Sequence, residues 1–448
     1  MIENEIPEEI KNPNEARTNG FSFSRTFASL HYRDFVYLWL GQITHAFALW
    51  IDQIAKPLLI LYLTDSPIHL GLVLVARTVP AVGFGLVAGV LADNFNRRFI
   101  LLATKWVVLI ITGLFALLVV LGLLELWHIY AYNFLRGATM AFDQPARRAM
   151  IPSIVPRNLV TNAMALSTGS MTATRIAGAA GAGLLISFAG FEGAYVTMTF
   201  AYIGAVFFTW KLRPIEQKRS GYQGMRSMGN DLIDGLKYSW HFKEIRGVLI
   251  IGIGWFAFGM AFMQVFAPLF AVNILDIGNQ GFGFMVSFSA VGGTLGALIL
   301  ATYSPSKHRG LIMLATLAAY GFMLIAFSAS TYLYSENIIP RSIEFLWWSN
   351  IPLALSVVFF IMFFLGLGQS TFFPLVNAVL VEKADENMRG RVLGVLSLDR
   401  AMTTLGGAAA GFLAAAVGSQ QAQIIFGASL MLTAFLMYIL YPPLRSID

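Results

Sequence analysis

Cysteine is absent from the 448-residue sequence, so neither disulfides nor thiolate metal sites contribute to its structure. Charged residues are scarce at 12%, whereas a soluble domain carries about 25%. Hydrophobic residues make up 57% of the chain. Because so few charges cannot cover a surface in water, the composition indicates a lipid bilayer as the main solvent. A Gly-x-x-x-x-Gly-Lys-Ser/Thr phosphate loop and a His/Glu metal constellation are also missing, so we expect no ATP coupling, no cofactor, no metal site and no enzymatic activity.

Apolar runs long enough to cross a bilayer recur along the whole chain. A span needs about 20 apolar residues, and it should be helical because lipid offers the backbone no hydrogen-bond partners. The sequence therefore predicts an all-α integral membrane protein, with no short alternating strands that would indicate a barrel. Its twelve predicted spans are 35–62, 68–92, 99–123, 127–146, 160–188, 193–212, 247–273, 282–303, 310–332, 351–381, 391–417 and 421–443.

Lysine and arginine concentrate in the connections on one side of these spans. The loops near 63–67, 124–126, 189–192, 274–281 and 418–420, on the other side, contain neither residue type. Arg341 is the one exception. The positive-inside rule then places both termini in the cytoplasm. The net charge of +6 thus reflects membrane topology, and we expect the bilayer rather than nucleic acid as the partner.

The two halves of the chain look related. FLRGATMAFDQP at 134–145 recurs in outline as FFLGLGQSTFFP at 363–374, and GAAGAGLL at 178–185 recurs as GGAAAGFL at 406–413. Two matches in register predict a duplicated six-helix unit, which is typical of secondary transporters. The chain then divides into a disordered tail (1–30), a first bundle (31–212), a linker with an amphipathic helix (213–246) and a second bundle (247–448).

The string GVLADNFNRR, at 89–98, joins the second and third predicted spans. Asp93 can lie against the positive end of a neighbouring helix, while Arg97 and Arg98 anchor in the headgroups. An ordinary short loop with topogenic arginines is the alternative interpretation. With Gly89, the string resembles the signature loop of the major facilitator superfamily, although Asn96 stands where glycine is usual.

That resemblance implies a latch that joins the two halves when the cavity faces outward. Asp93 would then face the start of the eleventh span, near Arg389 and Arg391. The stretches at 61–80, 141–166 and 389–398 are also similar to the enterobactin-exporter-like branch of this superfamily, the transmembrane secretion effector group. This resemblance implies two pseudo-symmetric six-helix bundles, a multi-pass protein of the bacterial inner membrane, and a monomer.

Several charged residues fall inside the predicted spans. A charge at mid-membrane costs about 2.5–3.5 kcal/mol on insertion scales, so each should line a cavity or have a partner. These residues are therefore the first functional candidates: Asp52, Lys56, Arg77, Lys105, Arg136, Arg175, Asp399 and Arg400.

Asp52 is the sharpest of these candidates. A carboxyl in a low-dielectric wall is easier to protonate than one in water, so we predict that Asp52 couples transport to protons, paired at times with Arg77 or Arg136. A permanent ion pair with Lys56, one helical turn away, is the alternative. Arg136 and Arg175 are predicted to attract an anionic substrate group, and the alternative is that they brace helix ends.

Other residues are less strongly indicated as functional by the sequence. We expect Asp399 or Arg400 to pack toward the cytoplasmic gate, Lys105 to snorkel to the headgroups, and His45 to be a minor proton-relay candidate. Segment 230–246 should lie along the membrane surface. Candidate cavity residues are Trp50, Gln53, Trp255, Phe258, Phe262, Gln264 and Gln369.

These patterns favour a secondary transporter that exports a small amphipathic molecule, siderophore- or drug-like, by alternating access with proton antiport. Lipid or lysolipid flipping and import by the same fold are alternatives. A membrane receptor without a transport cycle is an alternative of another class. The expected partners are the bilayer, a small-molecule substrate and protons.

Overall fold

The computed structural model describes residues 27–94, 96–213, 225–303, 307–335, 343–344, 350–351, 353–396 and 398–447. The described chain is almost entirely helical, as the apolar runs predict. Its helices are α1 Arg33–Thr64, α2 Pro67–Asn94, α3 Arg97–Val120, α4 Leu126–Ile154, α5 Val160–Trp210, α6 Met225–His241, α7 Lys243–Ile274, α8 Gly278–Tyr303, α9 Arg309–Ser335, α10 Leu353–Lys383, α11 Arg389–Leu396, α12 Asp399–Val417, α13 Ser419–Leu440 and α14 Pro442–Arg445. Ala28–His31 and Arg157–Leu159 form 3₁₀ turns, and Ile343–Glu344 pairs antiparallel with Asn350–Ile351.

Helix α5 contains two spans. Its 51 residues would extend about 77 Å at 1.5 Å per residue, more than twice the ~30 Å hydrocarbon core. The helix breaks at Gly190, whose φ of 67° and ψ of −173° are not helical. A glycine permits this positive φ without steric cost. The break falls between the predicted spans 160–188 and 193–212.

Ten helices of the described chain are long and apolar enough to cross a membrane, with α5 counted once. Helix α4 is outside this set because polar and charged residues, among them His128, Asn133, Arg136 and Asp143, lower its hydrophobicity. It also continues to Ile154, eight residues beyond the predicted span. If α5 is counted as two spans, divided at Gly190, and α4 is added, the total becomes twelve. This is the number that the sequence predicts.

Glycine contacts support the internal repeat. A Cβ on Gly137 of α4 would lie 1.9 Å from the Arg77 carbonyl oxygen of α2. A Cβ on Gly366 of α10 would lie 1.8 Å from the Ser289 carbonyl oxygen of α8. The two glycines occupy matching positions of the repeated strings. Each half therefore uses the same residue type at the same place to bring two helices into backbone contact.

The two halves touch through a second pair of matching contacts. Helix α5 approaches α8, where a Cβ on Gly183 would lie 2.7 Å from the Asn279 carbonyl oxygen. Helix α2 approaches α12, where a Cβ on Gly411 would lie 2.6 Å from the Pro67 carbonyl oxygen. Both contacts lie toward the end of the bundle at which α1 finishes at Thr64. We call this the closed end.

Side-chain hydrogen bonds cross between the halves from the middle of the bundle to the closed end. Ser287 of α8 donates to the Ile176 carbonyl oxygen of α5 at 2.9 Å. At the closed end itself, Asn273 donates to Asp65 at 3.1 Å. Three more bonds, of 2.6–3.3 Å, join Gln280 to Ser187, Thr404 to Thr78, and Arg175 to Gln369.

Helix α6 is the amphipathic helix predicted in the linker. It packs against α11, where Asp234 lies 3.6 Å from Arg391. Its apolar side chains Ile233, Leu236 and Trp240 are exposed. An exposed apolar face beside a membrane bundle suits a helix lying along the bilayer surface.

Part of the segment 1–30, predicted to be a disordered tail, is ordered. Ser29 is buried, and its hydroxyl donates to Asn162 of α5 at 2.6 Å. The turn Ala28–His31 therefore packs on the first half rather than extending into solvent. Residues 1–26 lie outside the described chain.

Candidate functional site

A cleft of about 800 Å³ lies between the two halves, including the part that opens to solvent. We call it the central cavity. Five of the residues nominated from the sequence line it: Trp50, Gln53, Arg175, Gln264 and Gln369. They come from α1, α5, α7 and α10, helices of both halves. The remaining wall is mostly apolar and includes Met260, Met263 and Phe282, while Lys56 adds a second cation.

Arg175 organises the polar wall of the central cavity. Its Nη2 donates to Gln369 Oε1 at 3.3 Å, which links α5 to α10 across the cavity. Its guanidinium also lies 5.6 Å from the Trp50 ring centroid, a cation–π contact. Arg175 Nε and Trp50 Nε1 are buried and have no hydrogen-bond partner among the described residues. These two donors are available to an acceptor on a bound molecule.

Asp52 lies behind the cavity wall, with only 1% of its surface exposed. Its Oδ2 is 3.1 Å from Lys56 Nζ and 3.9 Å from Arg136 Nη2. The structure thus contains the ion pair with Lys56 that was the alternative to proton coupling, and it also brings Arg136 within reach. Asp52 Oδ1 is buried and has no hydrogen-bond partner among the described residues. The carboxylate is therefore held between two cations with one oxygen unengaged.

Arg136 is buried in the first half rather than placed at a helix end. Its Nη1 donates to the Tyr202 hydroxyl at 2.5 Å. Its guanidinium lies 5.1 Å from the Tyr202 ring and 5.8 Å from the Tyr132 ring. These contacts orient Arg136 toward Asp52.

Arg77 lines a second cavity, which measures about 510 Å³ including the part that opens to solvent. Its Nη2 is 3.6 Å from the Met140 sulfur, a weak acceptor. The residues nominated around Asp52 are therefore shared between two neighbouring cavities, with Lys56 in the first and Arg77 and Arg136 in the second.

Asp143 is a buried carboxylate that the sequence reasoning missed. It lies 2.6 Å from Lys105 and 4.0 Å from Arg147. Lys105 is only 4% exposed and also contacts His45 Nδ1 at 3.1 Å, so the expectation that it snorkels to the headgroups was wrong. The i,i+4 spacing of Asp143 and Arg147, at the end of an unusually polar span, was the signal that could have identified this group.

Trp255 packs in the core of the second half. It is 1% exposed, and its ring lies 4.4 Å from both the Phe372 ring, in a stacked arrangement, and the Tyr320 ring. Phe262 is likewise buried, against Phe327. Phe258 packs at the edge of Phe426. None of the three is among the side chains that line the central cavity in the described chain, which corrects the expectation for them.

Gly89 and the Asp93 side chain lie outside what the structure describes, so the contact of Asp93 with the eleventh span stays a prediction. Asn96 caps α3 by accepting from the Arg98 amide at 2.9 Å. Arg98 donates to the Trp210 carbonyl oxygen at 2.8 Å. This part of the loop therefore ties α3 to the end of α5. Arg97 begins α3.

The described contacts of the other proposed latch residues include some within their own half and one with the linker helix. Arg391 faces Asp234 of α6, and Arg389 donates to the Ala384 carbonyl oxygen at 3.3 Å. Asp399 accepts from the amide of Arg400 at 2.5 Å. Asp399 also lines an apolar groove between α6, α7 and α12.

A helical membrane bundle with matching halves around a central cavity is the architecture of a membrane transporter of the major facilitator type. The chain belongs to the transmembrane secretion effector family of that superfamily, whose family model matches residues 24–447. This confirms the resemblance seen in the loop at 89–98 and in the stretches at 61–80, 141–166 and 389–398.

Two curated relatives align along most of their length. The staphyloferrin A transporter of Staphylococcus aureus (strain NCTC 8325 / PS 47) is 21% identical over 401 residues, which is 88% of this chain and 93% of that protein. The multidrug efflux pump Tap of Mycolicibacterium fortuitum is 24% identical over 412 residues, which is 89% of this chain and 93% of that protein. Both are named as transporters, and neither name describes an enzyme.

Solved transporters share the fold. The nucleoside transporter NupG superposes with a TM-score of 0.67 at 15% identity, covering 91% of this chain and 99% of that one. A bacterial homologue of the iron transporter ferroportin gives 0.66 at 14% identity, covering 90% and 98%. At this identity the likeness concerns the fold alone.

Proposed function

We propose that this transporter exports a small amphipathic molecule, siderophore- or drug-like, by alternating access in exchange for protons. The observation that carries the proposal is the central cavity, which both halves line with apolar, amide and cationic side chains. Two full-length relatives, named for staphyloferrin A transport and multidrug efflux, support export of such molecules.

The side chains that line the central cavity indicate the chemical properties of the substrate. Met260, Met263 and Phe282 offer apolar and polarisable surface, which adapts to varied shapes. Arg175 and Lys56 are the charged residues that line it in the described chain. The substrate should therefore combine an apolar body with hydrogen-bond acceptors or a carboxylate.

Asp52 provides the coupling to protons. Its carboxylate is the counter-charge of both Lys56 and Arg136, and Lys56 faces the cavity. Protonation of Asp52 removes that counter-charge and so changes the electrostatic potential at the substrate site. Proton binding and substrate binding are thereby linked through Lys56.

The chain lies in the bacterial inner membrane with both termini in the cytoplasm, and it acts as a monomer. The closed end lies opposite the loops rich in lysine and arginine, which makes it the outer end. The central cavity then receives substrate from the cytoplasm. Transport requires the bundles 31–212 and 247–448 to separate at the contacts of Gly183 and Gly411.

Reconstituted proteoliposomes test the proposal. Siderophores and toxic amphiphiles are offered at the cytoplasmic face, while substrate movement and internal pH are followed together. Asp52→Asn should retain substrate binding and lose substrate-dependent proton movement. Asp276→Asn, at an exposed residue between α7 and α8, is the matched control and should behave as wild type.

Other outcomes separate the alternatives. Proton movement in the same direction as the substrate would replace antiport by symport. Movement of fluorescent lysolipid without proton flux would favour a flippase. No transport of any compound by a protein that binds ligand would favour a receptor. Unchanged proton coupling in Asp52→Asn would remove the role assigned to Asp52.

A further inference from the structure

The interior of the first half holds more positive charge than negative charge. Lys56, Lys105 and Arg136 are buried, while Arg77 and Arg147 are partly exposed. Around Asp52 and Asp143, the described residues supply five cations and two carboxylates, an excess of three positive charges. The cations are Lys56, Arg77, Lys105, Arg136 and Arg147. Such an excess is costly in a bundle surrounded by lipid, because a buried charge is stable only when it has a counter-charge or water.

The two carboxylates are already engaged by the two lysines. Lys56 lies 3.1 Å from Asp52, and Lys105 lies 2.6 Å from Asp143. The arginines remain at longer range, with Arg136 3.9 Å from the first carboxylate. The three arginines are therefore left to share the excess charge.

These arginines converge on one space. Arg77, Arg136 and Arg147 all line the second cavity. Arg147 Nη1 is buried and has no hydrogen-bond partner among the described residues, and it is 4.0 Å from Asp143 through its other nitrogen. Arg77 contacts the thioether of Met140. Two guanidinium groups thus present unsatisfied or weakly satisfied donors to the same cavity.

The other groups around the cavity strengthen this assignment. His45 lines it and contacts the ammonium of Lys105, while Thr139 adds a hydroxyl. Asp143 is the one acid in its lining among the described side chains, and Lys105 already pairs with it. A negative ligand would find three guanidinium groups there and a single, occupied carboxylate.

We propose that the second cavity, between Arg77, Arg136 and Arg147, binds an anion. The ligand carries one localised negative charge, either a small inorganic anion such as chloride or a carboxylate of the transported molecule. Arginine suits this role because its planar fork presents several donors to one anion. The site rests on charge balance and geometry, so it does not depend on the exporter function proposed above.

The second cavity neighbours the central cavity along α5. Met171 lines the former and Arg175 the latter, and the two residues are four positions apart on one helix face. The two cavities are thus about one helical turn apart along α5. A carboxylate of the substrate could occupy the site while its apolar body fills the central cavity.

Anion-dependent stability of the purified protein tests the site. The melting temperature is measured in detergent with sodium chloride, sodium acetate or sodium gluconate at one ionic strength. We expect the melting temperature to rise saturably with chloride or acetate relative to the bulky gluconate. Arg77→Gln and Arg147→Gln should each weaken the apparent affinity by about 10- to 100-fold, as expected for loss of a charge-assisted hydrogen bond.

Control variants distinguish anion binding from general damage. Arg77→Lys retains the charge and should retain most of the response. Arg33→Gln removes an exposed arginine that bonds Tyr37 outside both cavities, and should respond as wild type. Should Arg77→Gln fail to elute as a single species, binding of radiolabelled chloride and acetate to the wild-type protein decides the question.

The outcomes assign or overturn the site. A response to both anions assigns it to any small anion, and a response to acetate alone assigns it to a substrate carboxylate. Equal melting temperatures in all three salts, with no bound radiolabelled anion, would overturn the proposal. So would an undiminished response in the Arg77→Gln, Arg147→Gln double variant. Because no transport is measured, failure of proton coupling through Asp52 would leave these results unchanged.

Discussion

Replacing Gly71 by alanine should open the closed end of the bundle. Gly71 lies where α2 meets α12, and an added Cβ would be 2.7 Å from the Gly407 carbonyl oxygen and 2.8 Å from the Ala408 Cα. Ordinary contact between such atoms lies near 3.5 Å, so the helices would have to separate by about 0.7 Å. Both neighbouring atoms belong to the backbone, and no rotamer change can relieve the clash.

The size of the effect follows from this overlap. Overpacking of a close contact costs about 1–3 kcal/mol. The cost falls on the state in which the two helices touch, and it disappears when the halves part. At 1.4 kcal/mol for each factor of ten, Gly71→Ala should shift the equilibrium toward the open state by about 5- to 150-fold.

Cysteine labelling can measure this shift. The chain contains no cysteine, so a single introduced thiol is the only one that a maleimide can label. Ser287→Cys places it at the α5–α8 contact, where the native side chain is 7% exposed. The labelling rate with a polar maleimide then reports how often the closed end opens. Gly71→Ala should raise that rate by up to the factor given above.

Gly83→Ala is the matched control for this experiment. It lies on the same helix as Gly71, and no other atom comes within 4 Å of its added Cβ. Any effect of alanine on helix propensity is thereby common to both variants. Equal labelling rates in the Gly71→Ala and Gly83→Ala backgrounds would refute the steric reasoning.

Three further substitutions test the interior. Trp255→Ala should destabilise the protein by about 3–5 kcal/mol through loss of a fully buried stacked ring, seen as a lower melting temperature. Asp143→Asn should cost about 3–5 kcal/mol because it leaves the ammonium of Lys105 buried without its counter-charge, and Lys105→Met in the same chain should recover part of that loss. Arg175→Lys keeps the charge but loses the planar contact with Trp50, so it should weaken substrate binding about tenfold while the melting temperature stays near wild type.

The positions of most helices were predictable because membrane insertion depends on local composition. A run of about 20 apolar residues must be helical whatever surrounds it. Helix α4 shows where this reasoning fails. Its end carries Asp143 and Arg147, which reduce the apolar signal, yet the helix continues to Ile154, with Asp143 paired to Lys105 of α3.

The sequence predicted which residues belong to the candidate site. It predicted much less well how those residues are arranged and which of them form pairs. Charged residues inside spans mark candidates because lipid penalises them: Arg175 lines the central cavity, Arg136 lines the second cavity, and Asp52 lies behind the wall of the first. Which charges pair depends on contacts between distant parts of the chain. Lys105 of α3 meets Asp143 of α4, which is 38 positions further along the chain, so no local pattern could distinguish it from a snorkelling lysine.

Sequence alone determined that this is a helical membrane protein with related halves, because hydrophobic length and glycine spacing are local properties of the chain. It also restricted the chemistry to a few charged and amide side chains. Tertiary structure alone decided that Trp255 belongs to the core while Gln369 reaches the cavity, because the face that a helix presents depends on its neighbours. The same packing gathered Arg77, Arg136 and Arg147 from α2 and α4 around one space. That convergence creates the excess of positive charge from which an anion site follows.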